Sequence, residues 1–287
     1  GLYPIKSGTV RPHRKFWIMS RMPTVYIPHG GGPCFFMEWD PPETWNEMEG
    51  YLRRLPEDIG QHPQVIVMIS AHWEGEVLQV QGQDQPDLLF DYYGFPDHTY
   101  ELTYPAPGSP DVSTRIASLL EQKDRDVDIV MDRGFDHGMF VPMKVAWPGA
   151  DIPVVQLSLL ADLDPASHIA IGEALQPLRD EGVLIIGSGY SYHNMQAMGK
   201  FMRSGGAAVF GDDFNTWLVE ASTQGDSQAR NQALVNWAEA PGARDAHPRE
   251  EHLLPLHVCA GAAGNDQGRQ TFEARPMGAM SSVIQFG

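Results

Sequence analysis

Short runs of apolar, mostly β-branched residues punctuate the chain at residues 24–28, 65–70, 77–80, 153–159, 183–187 and 282–286. Each has the length of a strand, and most lack alternating polar positions, so both faces of such a strand must be buried. The stretches between them are long enough for helices. Residues 164–182 are the clearest case: Asp164 suits the N-cap, Pro165 the first turn and Gly182 the C-terminal cap. Within that stretch Ile171, Ala174, Leu175 and Leu178 share one face. Residues 110–121, 139–147 and 209–221 read as further helices. Strands alternating with helices predict an α/β sandwich around a largely parallel sheet. No repeat and no Ser/Gly linker divides the chain. The 23 prolines and 29 glycines predict long ordered loops, residues 82–110 among them. The polar residues 226–248 read as a surface excursion.

Composition removes several classes of partner. Twenty Lys and Arg against 37 Asp and Glu leave a net charge of −17. A nucleic-acid binder that grips phosphates needs a basic face, and attachment to an anionic membrane needs basic clusters. No apolar run approaches the roughly 18 residues of a bilayer span. Up to Met37 the chain has no acidic residue, while Lys6, Arg11, Arg14, Lys15 and Arg21 are basic. Residues 1–21 therefore read as an N-terminal arm, a tag or a processed transit extension. Residues 22–287 form the expected folded domain, and it is more acidic still. The only cysteines, Cys34 and Cys259, make no disulfide framework. That points to a reducing compartment, the cytoplasm, or an organelle if the arm is a transit remnant.

Eleven histidines are present, and several fall at strand ends. His29 follows the strand at 24–28 and opens His29-Gly30-Gly31-Gly32-Pro33. His72 follows the strand at 65–70, and His193 follows the strand at 183–187 after a short Gly/Ser/Tyr loop. In open α/β sheets, ligand sites gather beyond the C-terminal ends of the strands. These three can therefore converge as metal ligands, since neutral imidazole suits both Zn and Fe. His252 is a fourth candidate, at the start of a helix that tolerates Pro255 in its first turn. His257, five residues on, lies about 140° round and faces elsewhere. Glu250 and Glu251 are alternative carboxylate ligands, or simple partners of the helix macrodipole. His137, in Gly134-Phe135-Asp136-His137-Gly138, reads as structural, the alternatives being a donor behind the site, a substrate contact or a helix N-terminal residue. His13, His62, His98, His168 and His247 read as surface residues.

Competing motifs fail on spacing. Gly30-Gly31-Gly32 lacks the glycine offsets and the Lys of phosphate loops, and reads as a tight loop that lets backbone approach a bound group. Gly187-Ser188-Gly189 is not a nucleophile elbow. Cys34 reads as buried and inert. Trp73, Phe135, Tyr190 and Tyr192 read as core packing or as a stacking surface for a flat ligand.

Taken in order, several segments resemble the DODA-type branch of the class III extradiol ring-cleaving dioxygenases. They are His29-Gly30, Ser70-Ala71-His72-Trp73, Gly94-Phe95-Pro96, Tyr104-Pro105-Ala106-Pro107-Gly108-Ser109-Pro110 and Gly134-Phe135-Asp136-His137-Gly138. Val154-Val155-Gln156-Leu157-Ser158, Ser188-Gly189 with His193-Asn194, and Glu251-His252-Leu253-Leu254-Pro255-Leu256 complete the set. The resemblance implies one α/β domain with a central, mostly parallel mixed sheet flanked by helices. It implies a metal site drawn from His29, His72, His193 and His252, holding Fe(II) for activity, with Zn(II) an occupant of the same histidines. The implied reaction opens a catechol ring with O2. His193 is then a fourth ligand or the acid/base, and His137 a hydrogen-bonding partner of substrate or oxygen. Two departures stand out: Gly31-Gly32-Pro33 stands where many relatives have a small polar residue after His-Gly, and His252 stands where related superfamily members use a carboxylate ligand, which leaves Glu250 or Glu251 as a third-ligand alternative. The rival functions are a Zn-dependent hydrolase on the same histidines and a non-enzymatic binding protein on this scaffold.

Overall fold

A computed structural model describes residues 20–206 and 208–287. Its strands are β1 (Thr24–Pro28), β2 (Val65–Gly75), β3 (Leu78–Gln81), β4 (Val127–Val130), β5 (Val154–Leu160), β6 (Val183–Gly189), β7 (Gly268–Ala274) and β8 (Ser281–Phe286). Its helices are α1 (Asn46–Ile59), α2 (Pro110–Glu121), α3 (His137–Ala146), α4 (Pro165–Leu175), α5 (Met195–Arg203), α6 (Asp212–Thr223), α7 (Ser227–Val235), α8 (Ala243–Ala246) and α9 (Leu254–Ala263).

The strands form one sheet in the order β4-β3-β5-β2-β6-β1-β8-β7. The central four, β5, β2, β6 and β1, are mutually parallel, while β8 runs antiparallel to β1, β7 to β8 and β3 to β5. The apolar runs alternate by face, as the pleat requires. Ile66, Met68, Leu184 and Ile186 pack with Leu52 and Leu55 of α1 and Phe140 of α3. Val65, Val67, Val183 and Ile185 pack on the other side with Ile171 and Leu175 of α4 and Val258 of α9. Strands buried on both sides leave no polar position to spare, which is why they were legible in sequence.

Several expected boundaries move. β2 continues past Ser70 to Gly75, so His72 lies within the strand rather than after it. β4 and β7 are edge strands with polar, half-exposed residues, and no apolar run marks them. The segment 164–182 has its cap at Asp164, whose side chain accepts from Ser167 N–H, and its end at Gly182 in left-handed conformation. Between them the α-helix stops at Leu175 and tightens into a 3-10 turn, Gln176–Glu181. Pro177 explains the change, since it has no N–H to give and its ring clashes with the preceding turn. The helix expected at 209–221 is Asp212–Thr223. Residues 226–248 are not a surface excursion. They carry α7, α8 and a 3-10 turn, and they bury Arg230, Leu234, Trp237 and His247. Among the described residues no helix is long and apolar enough to cross a membrane. Most of the basic arm, with His13, lies outside the described residues. Arg21, at its end, pairs with Asp180.

Candidate metal centre

The C-terminal ends of the parallel strands bring the histidines together. His29 is the first residue beyond β1, and its N–H donates to Gly189 O at 3.0 Å, tying it to the end of β6. Gly30 and Gly32 take φ of +83° and +52°, values that suit glycine, and so turn the chain sharply after it. His72 sits where the register of β2 against β5 slips between Ile69 and Glu74. Such a bulge re-aims a side chain at a sheet end. Ser70 Oγ accepts from His72 N–H at 3.1 Å and donates to Asp136 Oδ1 at 2.8 Å. His252 precedes α9. Its carbonyl accepts from Tyr26 Oη at 2.5 Å and from Tyr190 N–H at 3.0 Å. His193 follows β6, with its N–H on Ala246 O at 2.8 Å.

The rings of His29, His72 and His252 lie 4.7, 5.0 and 4.9 Å apart in pairs. His29 Nε2 and His72 Nε2 are 3.1 Å apart. Two nitrogens each about 2.1 Å from one ion would be separated by roughly 3 Å. His252 Nδ1 donates to Glu251 Oε1 at 3.2 Å, and its Nε2 is buried with no hydrogen-bond partner. An orphaned buried nitrogen costs about 1–3 kcal/mol, a penalty that a bound ion removes. Burial and then the neighbouring histidines hold His29 and His252 well below the ordinary imidazole value. Burial and then His137 lower His72 to about 4. Neutral rings offer the lone pairs that a metal needs. The donor set fits a metal ion.

The other candidates separate by position. His193 stacks on His252 at 3.4 Å and 4°, and its side chain is 23% exposed against 4% for His252. It stands beside the three-histidine group on its open side. Burial and then His72 lower it to about 4. Glu251 lies behind His252, with Oε2 3.5 Å from Arg249, which is itself bonded through both Nη atoms to Glu74 of β2. Arg249 is 52% exposed, so these pairs add little stability, under about 1 kcal/mol, and their role is alignment. Glu250 turns away to Arg244.

Residues 23–285 match the family described as the catalytic LigB subunit of aromatic ring-opening dioxygenase. The chain belongs to this family. Curated relatives agree. It is 39% identical over 244 residues to a 4,5-DOPA dioxygenase extradiol of Beta vulgaris, covering 85% of this chain and 87% of that one. It is 37% identical over 267 residues to dioxygenase tasH of Hapsidospora irregularis, covering 87% and 80%. Its fold matches a crystal structure of the uncharacterized protein JW3007 from Escherichia coli K12, with TM-score 0.72 and 29% identity, over 93% of this chain and all of that one. It is therefore an oxidoreductase, a non-haem extradiol dioxygenase built as a single α/β domain.

In this LigB-family dioxygenase, α3 points its first residue, His137, at the cluster, with its ring 4.1 Å from that of His72. Gly138 permits the approach: a Cβ there would meet Ser70 Oγ at 2.7 Å. Asp136 is fully buried and held by Ser70, Gln156 and Arg133. Trp73, Phe135, Tyr190 and Tyr192 are buried core residues, with Tyr190 edge-on to His29 at 6.5 Å. Cys34 is buried beneath the glycine loop, and burial raises its thiol well above the ordinary range. His62 and His98 are exposed as expected, but His168 and His247 are buried. His168 caps within α4 through Asp164 O and accepts from Leu160 N–H, and His247 donates to Ser191 O at 2.8 Å, bracing the His193 loop from outside. Sequence reasoning also missed Asp91, Glu74 and Arg249, which belong to no motif.

This burial makes the metal-free dioxygenase acid-sensitive. His29, His72, His168, His193, His247, His252 and His257 are all lowered, with burial the largest cause. The unfolded chain takes up protons near pH 6.5 while the folded chain does not, so stability falls as pH drops. The melting temperature of chelator-treated protein should fall steeply from pH 7 to 5. A flat profile across that window would contradict the buried neutral cluster.

Proposed function

We propose that this dioxygenase binds Fe(II) through His29, His72 and His252 and opens the ring of a catechol with O2, using His193 as acid/base. The observation that carries this reading is the convergence of three neutral imidazoles on one point, with His252 Nε2 buried and unpartnered. The same donors suit Zn(II) as well. Bound there, Fe(II) supplies a Lewis acid for the catechol oxygens and positions open to substrate and O2.

The chain's own residues do the rest. Glu251 accepts from His252 Nδ1–H, which leaves the lone pair on Nε2. His193, neutral and on the open side, accepts a proton from a substrate hydroxyl and returns it to a ring-opened oxygen. His137 faces the substrate from the His72 side, where its free Nε2 can accept a hydrogen bond from a substrate hydroxyl. The names of the plant relatives favour a catechol with an amino-acid side chain, such as DOPA, as the first substrate to try. Two free, buried cysteines favour a reducing compartment such as the cytoplasm.

Anaerobic loading with Fe(II), followed by O2 uptake on a panel of catechols, tests this. Uptake coupled to a yellow ring-opened product is expected. Metal-dependent ester or amide cleavage without O2 uptake would replace it with the hydrolase, and neither activity would favour a binding protein.

A further inference from the structure

His137 arrives at the cluster with a partner from a different part of the chain. Its Nδ1 lies 2.6 Å from Asp91 Oδ1, and its backbone N–H donates to the same oxygen at 3.0 Å. The side chains are only 7% and 20% exposed. No hydrogen bond engages the other ring nitrogen, Nε2, among the described residues. Asp91 belongs to no helix or strand, yet it is held on both sides. Leu89 N–H donates to Phe135 O at 2.7 Å, and Phe135 N–H to Asp87 O at 2.8 Å, which ties the loop to the turn before His137. Beyond Asp91, Tyr92 donates its hydroxyl to Thr99 O at 2.5 Å and sets its ring edge-on to His137 at 5.6 Å.

An ionised carboxylate only accepts hydrogen bonds, so the nitrogen it faces must carry the proton. In a neutral imidazole the lone pair then falls on Nε2. Without that acceptor the ring is free to adopt the other tautomer and to turn about its Cβ–Cγ bond. We propose that Asp91 is a positioning residue, which fixes His137 as the Nδ1–H tautomer and presents Nε2 beside His72 to the bound substrate. The kinetic part of this rests on the dioxygenase function proposed above, whereas the tautomer does not.

Two measurements test it on the full chain. In zinc-loaded, diamagnetic protein, long-range 1H–15N spectra identify the His137 signals by their loss in His137→Ala. The wild type should show Nδ1–H, and Asp91→Ala should move the signal toward the Nε2–H form. In iron-loaded protein, Asp91→Ala should lower kcat about 10–100-fold, the usual cost of removing a carboxylate behind an active histidine, with iron content unchanged. In the His137→Ala background the same substitution should cost less than about 2-fold, because Asp91 then has nothing to act through. If Asp91→Ala does not fold, Asp91→Asn keeps an acceptor for the backbone N–H. Its smaller effect should likewise vanish in the His137→Ala background. An equal loss in both backgrounds, or a wild-type His137 protonated on Nε2, would overturn the proposal. If no catechol supports O2 uptake by the wild type, the kinetic function fails and the tautomer spectrum alone decides the role of Asp91.

Discussion

Replacing His252 with Ala is expected to empty the metal centre. A complete structural zinc set is worth about 10–16 kcal/mol, so one ligand's share is roughly 3 kcal/mol or more, at least about 100-fold in affinity. The loss should be specific to the site. The His252 carbonyl, which accepts from Tyr26 and Tyr190, survives the substitution, so the start of α9 keeps its anchors. Glu251→Gln provides the contrast. Glutamine still offers an oxygen to His252 Nδ1–H, and the loss should stay within about 10–100-fold. Competition of each variant with a chelator of known affinity measures both. If Glu251→Gln lost the ion as completely as His252→Ala, then Glu251 would be a ligand and the carboxylate alternative would be correct.

His193→Ala is expected to do the opposite, keeping the ion and losing turnover. A positioned general acid/base contributes about 10²–10⁴-fold, and kcat should fall by that factor while iron content stays near that of the wild type. The geometry supports the split. His193 stacks face to face on His252, and it is more exposed than that ring. Its backbone bond to Ala246 does not depend on the ring. Full activity in the variant would remove His193 from the mechanism. Loss of iron in parallel with activity would make it a fourth ligand.

How much of this was legible in the chain depends on the range of the interaction. The runs at 24–28 and 183–187 coincide with or lie within β1 and β6 because a strand buried on both faces needs continuous apolar residues. Edge strands β4 and β7 need no such run and left no signal. His29, His72 and His193 were found because each comes shortly after a recognisable apolar run. His168 and His247 misled because a buried histidine is made acceptable by distant carbonyl and amide partners, Asp164 O and Leu160 N for one and Ser191 O for the other. Nothing in the neighbouring residues announces those partners.

The sequence by itself determined the positions of the buried strands, the kind of ligand atoms near their ends and, through an ordered set of short motifs, the family. Those properties are local, set by side-chain pattern and chain order. Only the tertiary structure decided that Glu251 backs His252, that His193 stands beside the three-histidine group, and that Asp91 holds His137. Each of these depends on the angle at which one segment meets another. That angle is set by the bulge in β2, the entry of α9 and the folding of a long loop against the N-terminus of α3.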